Sequence, residues 1–146
     1  DVNGAPVTVF VAHPPPPALT LTGITPRPGT DNEIDQLIAR FNAIDGPLLV
    51  LGDFNITALH ETYQRIEDTG LQDAFAEAGH GFGFTAVVRL ARPSKPAWVI
   101  ERIRLLPFMR IDYIWASPQW IVTDAHVGDD AGSDHLPVIA ALALTT

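Results

Sequence analysis

Five polar groups stand where apolar runs begin or end: His13, Asp53, Asn55, Asp112 and the adjacent pair Asp134-His135. In the stretch LLVLGDFN, residues 48–55, four large apolar residues run into Gly52 and then deliver Asp53 and Asn55. Two positions apart on an extended chain, these side chains point the same way. The carboxylate can hold a metal or a water, and the carboxamide can donate to an anionic oxygen. An Asx turn ending a core strand is the plainer use of the same residues. Asp112 lies inside the apolar run IDYIWA, where a carboxylate is costly unless paired. A histidine is its natural partner, because an Asp holding a His fixes the tautomer and raises the basicity. An ion pair with Arg110 is the alternative. Ser133-Asp134-His135 contains the residue types of a hydrolase triad. Neighbours on extended chain point to opposite faces, so the three cannot line up in relay. Asp134 on a metal side, with His135 as base or phosphate contact, is the easier geometry. His60, His80 and His126 lack such context and read as surface or loop histidines.

The elements that must position these groups follow from periodicity. Val7 to Ala12, β-branched and aromatic, reads as a strand ending at His13. Pro14 to Pro17 then force a stiff polyproline-II surface loop, and a long loop runs on to Gly29. Thr30-Asp31-Asn32-Glu33 has the form of a capping box. Ile34, Leu37, Ile38, Phe41 and Ile44 follow at helical spacing until Gly46-Pro47 stops the helix. Leu48 to Leu51, bounded by Pro47 and Gly52, fits a strand covered on both faces. Strand, helix, strand is the unit of a layered α/β fold. Leu59, Tyr63 and Ile66 mark a second helix ended by Gly70, and Leu71 to Ala78 a short third one. Phe84 to Val88, Ile111 to Ala116, Ile121 to Val127 and Leu136 to Leu144 are expected strands. Arg89 to Arg110 is the only clearly basic stretch, either a grip on an anionic or lipid-like substrate or a solvated insertion.

With 146 residues, 47% of them hydrophobic and 18% charged, one domain with a real core is the natural expectation. A net charge of −8 disfavours sequence-independent binding to a nucleic-acid backbone. It leaves room for a metal enzyme, whose cations offset local acidity. The absence of cysteine excludes disulfides, thiolate catalysis and zinc-thiolate sites. The Asn3-Gly4 pair is a strong hairpin signal with no strand before it, so the chain is expected to be a piece of a longer protein.

GDFN at 52–55, RIDYI at 110–114 and SDHLPV at 133–138, in this order, resemble the endonuclease/exonuclease/phosphatase superfamily. Its members include DNase I-like nucleases, inositol polyphosphate phosphatases and neutral sphingomyelinases. The resemblance covers essentially residues 1–146, as the C-terminal portion of one such domain. His13 in VAHPPPP looks like the His that begins this half in many members, and the Pro-rich loop is similar to that of bacterial YafD-like members. The resemblance implies a four-layer α/β sandwich of DNase I-like type, with mixed β-sheets and flanking helices. It implies that Asp53 orients or deprotonates the attacking water, and that Asn55 binds that water or the phosphate. Asp112 pairs with His135, which contacts the phosphate. Asp134 and Asp53 stand on the metal side, His13 steadies the transition state or leaving group, and Arg110 contacts substrate. The chemistry implied is phosphoester hydrolysis with Mg²⁺ or Mn²⁺. The family's principal metal-binding Glu belongs to its N-terminal half, and no residue here stands in for it, so this stretch alone is expected to be impaired. An N-terminal half or a homodimer partner would cover the exposed sheet. Small phosphodiesters, phospholipids or sugar phosphates are expected substrates ahead of DNA, and an extracytoplasmic, membrane-anchored setting is favoured. A non-catalytic phosphate-binding or interaction module on the same fold is the alternative.

Overall fold

The computed structural model describes residues 1–20, 23–25, 27, 29–86 and 109–145. The chain-ordered elements are β1 (Thr8–Val11), β2 (Ala18–Thr20), β3 (Gly23–Thr25), α1 (Thr30–Asn42), β4 (Leu48–Asp53), α2 (Glu61–Glu67), β5 (Gln72–Asp73), α3 (Ala74–Ala78), β6 (Asp112–Ala116), β7 (Trp120–Val127) and β8 (Val138–Leu144). The main sheet has the order β1-β4-β6-β5. β1 and β4 are parallel, joined by the crossover that carries α1, and β6 is antiparallel to both β4 and β5. The fold is therefore mixed α/β, with a mixed sheet and flanking helices. β7 and β8 form a separate antiparallel pair with an irregularity between Val122 and Asp124.

One face of the main sheet supplies the core. Phe10, Val50 and Trp115 fall side by side in the register and pack with Tyr113 against Phe41 of α1 and Tyr63 and Ile66 of α2. Trp115 is fully buried, with Phe54, Tyr63 and Tyr113 rings around it. The alternate residues Val9, Val11, Leu49, Leu51 and Ile114 face the other way by the strand period, and remain exposed or half-buried. Asp53 and Asp112 share that second face.

Gly52 is fixed by close approach. Its φ of 151° lies in a region that favours glycine, and a Cβ there would sit 1.8 Å from the Ala12 carbonyl oxygen. The Ala12 N–H donates to the Leu51 carbonyl at 2.9 Å, so β1 and β4 run into contact one residue before Asp53.

Several expectations need correction. The capping box does not form: Thr30 is already helical, and the N-cap is Gly29, with φ 91° and no side-chain cap. The loop after the prolines holds the β2–β3 hairpin, and Pro14 is buried rather than on the surface. The third helix begins only at Ala74, because Gln72 and Asp73 pair with β6 and the Asp73 carboxylate accepts from the Phe75 N–H. Residues 84–86 form no strand; Ala86 makes single bridges to Met109 and His135. Val87 and Val88, and the basic stretch from Arg89 to Met109 except its last residue, lie outside the described residues. The Asn3-Gly4 turn does close, with Val2 and Ala5 exchanging backbone hydrogen bonds at 3.0 Å.

Candidate active site

β4 ends on Asp53 and β6 begins on Asp112, and the two are register partners across the antiparallel pair. Sheet pairing alone therefore places two carboxylates side by side. His135 arrives from the loop before β8. It is brought in by the bridge to Ala86 and by the Leu136 N–H, which donates to the Thr85 carbonyl at 2.8 Å. Thr85 is fully buried, and its hydroxyl accepts from the backbone N–H groups of Ile111 (3.2 Å) and Asp112 (3.3 Å). One residue thus ties the His135 segment to the start of β6.

The His135 Nδ1 lies 2.9 Å from Asp112 Oδ2 and 3.1 Å from Oδ1. It is 3.9 Å from Asp53 Oδ2. His13 Nε2 lies 3.6 Å from the same Asp53 oxygen. Asp53, Asp112 and His135 side chains are 20%, 19% and 31% exposed, against 69% for His13. The site is a half-buried cluster reachable from solvent. Asn55 has a positive φ of 55°. Its N–H donates to Asp53 Oδ1 at 2.8 Å and its Nδ2 to the Pro14 carbonyl at 3.0 Å. The Asx turn and the site arrangement are one structure: Asp53 holds the turn with one oxygen and faces the histidines with the other.

Burial pushes the Asp53 carboxyl above its ordinary value, and the nearby Asp112 carboxylate adds to this. The Asn55 N–H and the two histidines work against that rise. Among the described residues, Asp53, Asp112 and His135 offer ligand atoms all within 4.8 Å of one another. Two carboxylates and an imidazole are a donor set that suits a divalent cation. The same cation would relieve the repulsion felt by Asp53.

Asp134, expected on the metal side, is not in this group: it is exposed, and its carboxylate receives the Ser133 hydroxyl at 3.3 Å. Arg110, expected to touch substrate, is engaged elsewhere. Its guanidinium binds the buried Asp73 carboxylate and lies over the rings of Tyr113 and Phe75, leaving its side chain 15% exposed. It is an anchor for the start of β6. Asp112 pairs with His135 and not with Arg110. Asp73 and its partner Tyr63, whose hydroxyl donates to it at 3.0 Å, drew no attention in the sequence, nor did Thr85. Burial beside Asp73 holds the Tyr63 hydroxyl well above its ordinary value. Of the remaining histidines, His60 caps α2 by accepting the Thr62 N–H, while His80 and His126 flank the Asp124 carboxylate near the surface.

The family model for endonuclease/exonuclease/phosphatase proteins matches residues 1–135. The chain belongs to that family. Solved structures of family members carry the same fold. An endonuclease/exonuclease/phosphatase from Bacteroides vulgatus superposes with TM-score 0.55 at 25% identity, over 76% of this chain and 42% of that one. The mannosyl-6-phosphatase Bt3783 of Bacteroides thetaiotaomicron VPI-5482 gives 0.53 at 20%, over 79% and 45%. The 3′ phosphatase NExo from Neisseria, bound to product DNA hairpin, gives 0.59 at 21%, over 78% and 53%. The chain therefore spans about half the length of these endonuclease/exonuclease/phosphatase structures. No curated protein sequence matches it.

Proposed function

We propose that this chain carries the water-activating and phosphate-contacting groups of a divalent-cation-dependent phosphoester hydrolase. The observation that carries the reading is the hydrogen-bonded His135–Asp112 pair set against Asp53 at the meeting of β4 and β6. Family membership supports phosphoester chemistry at the level of class. Asp112 accepts from the His135 Nδ1–H and so fixes the tautomer, leaving Nε2 to meet a phosphoryl oxygen. Asp53, with one oxygen committed to the Asn55 turn, has the other available to orient a water and take its proton. His13, whose Nε2 lies 3.6 Å from Asp53 Oδ2, is proposed to steady the transition state or leaving group. Mg²⁺ or Mn²⁺, held by Asp53 and Asp112, would neutralise charge developing on the phosphoryl group. Asp134, exposed and next to His135 in the chain, is proposed as a further ligand to the same ion.

A small phosphodiester, phospholipid head group or sugar phosphate is the favoured substrate class over DNA, because the chain's charge of −8 repels a polyanion. One structural relative is named a sugar phosphatase, so monoesters belong in the assay. The test is hydrolysis of bis-p-nitrophenyl phosphate and p-nitrophenyl phosphate with Mg²⁺ or Mn²⁺, by this chain and by the full-length protein. Metal-dependent turnover is expected of the full-length protein, with this chain alone impaired, and it should fall by about 10²- to 10⁴-fold in His135→Ala. No turnover of either ester by the full-length protein, or an unaffected His135→Ala, would overturn the proposal.

A further inference from the structure

Next to the cluster lies a cavity of about 210 Å³ that the mechanism above does not use. It is lined by Pro14, Pro15, Ile34 of α1, Phe54, Asn55 and Ile56, together with the polar side chains of Arg27, Asp31, His60, Glu61 and Thr62. It shares a wall with the catalytic groups. Asn55 is hydrogen-bonded to both Asp53 and Pro14, and Pro14 directly follows His13.

We propose that this cavity is the subsite for one ester arm of the substrate, and that the arm is a small apolar group of single-ring size. The inference rests on the phosphoesterase reading and adds the chemistry of the esterified group. Three properties select the arm. The first is polarity. Consecutive prolines have no N–H to offer, and with Ile34, Phe54 and Ile56 they make most of the exposed wall apolar, so an apolar arm covers more of it than the polar groups of Arg27, Asp31, His60, Glu61 and Thr62 do. The second is size. A cavity of about 150 Å³ lined by apolar side chains holds benzene, so 210 Å³ suits an aromatic ring or a short branched chain. It is smaller than the several hundred Å³ typical of sites for larger ligands. The third is rigidity. Polyproline backbone is ordered in advance, and Pro14 is pinned by the Asn55 carboxamide, so little ordering entropy opposes entry. The buried Thr30 Oγ1, which has no hydrogen-bond partner among the described residues, belongs to the same wall. It gives the arm one polar contact if the wall relaxes around it.

The probes are methyl-, butyl- and phenylphosphonate, which are not hydrolysed, with affinities read by NMR titration of the full-length protein in Mg²⁺. Each buried methylene contributes about fourfold in affinity, so phenylphosphonate is expected to bind at least about tenfold more tightly than methylphosphonate, with butyl between them. Ile56→Phe fills the cavity. It should bring the phenyl and methyl affinities to within about threefold of each other and leave methylphosphonate unchanged. Ile56→Ala enlarges the cavity and should move the preference from phenyl to naphthyl, which keeps the test decisive if the larger side chain misfolds. Equal phenyl and methyl affinities in the unaltered protein, or the same preference order in both variants, would overturn the subsite. Methylphosphonate binding without a phenyl preference sinks the subsite and spares the phosphoesterase reading. Binding of neither phosphonate, with no ester turned over, sinks both.

Discussion

The His135–Asp112 contact concentrates the chemistry at the scale of single residues. Its short Nδ1 distances to both carboxylate oxygens mean that Asp112 does more than offset charge: it decides which ring nitrogen carries the proton. Asp112→Asn keeps the shape but presents an amide that can favour the wrong tautomer. The expected result is a fall in kcat of about 10³- to 10⁴-fold with KM little changed. Retention of more than a tenth of kcat would show that the tautomer does not matter. Asp53 carries a second prediction, for the metal-free protein. Its carboxyl pKa is raised in the folded state, chiefly by burial. Folding therefore favours its protonated form, and the ionised form costs stability at any pH above the folded pKa. The cost disappears below the unfolded value of 3.8. In EDTA, Asp53→Asn should raise the melting temperature at pH 7 and make no difference near pH 3. A variant that melts lower at pH 7 would contradict the sign.

At the scale of elements, the site depends on groups whose partners are far away in the chain. Thr85 holds two backbone N–H groups at the start of β6 from 26 and 27 residues away. Thr85→Val leaves those buried donors without an acceptor, at about 1–3 kcal/mol each, and Thr85→Ser should restore most of the loss. Urea melts of the three proteins test this; a valine variant as stable as the parent would remove Thr85 as the tie. The Asp73–Arg110 pair is the other anchor. Asp73→Ala strands a guanidinium that is mostly covered by Tyr113 and Phe75, with an expected cost of about 3–5 kcal/mol. A loss under 1 kcal/mol in the same melts would mean that Arg110 finds water instead.

The same scale explains what was legible in the sequence. The β1-α1-β4 unit was readable because its cues are local: an alternating strand, apolar residues three and four apart, and a glycine-proline stop. GDFN, RIDYI and the Asp-His pair were readable because their polar side chains interrupt apolar runs. The start of α1 was misread because Thr30 follows a glycine in a left-handed conformation, which supplies the cap geometry without a side chain. β5 was missed because two residues carry no periodicity; their strand character comes from β6. Arg110 shows the same limit of local cues. A cation beside a site motif suggests substrate, and its true partner, Asp73, lies 37 positions earlier.

For the whole molecule, the asymmetry of the main sheet governs behaviour. One face is sealed by α1 and α2, while Val9 is 51% and Val11 81% exposed on the other. β1 is also an outer strand of the sheet, so apolar side chains and an open backbone edge coincide among the described residues. Such an edge invites pairing with another chain. Ile121 and Ile139, at 55% and 46% exposure on β7 and β8, add to the uncovered apolar surface. The fold of the family, with two sheets face to face, gives this surface a natural cover, and the chain spans about half of the structures it superposes on. The prediction is that these 146 residues expressed alone bind a hydrophobic dye and self-associate at micromolar concentration. Val9→Lys with Val11→Glu should weaken that association by at least about tenfold, since each side chain forfeits about 1.5 kcal/mol or more of burial. Sedimentation and dye binding distinguish the outcomes. A chain that stays monomeric and dye-free at 100 μM (about the upper end of the range in which exposed apolar surface drives association) would show that this face needs no cover.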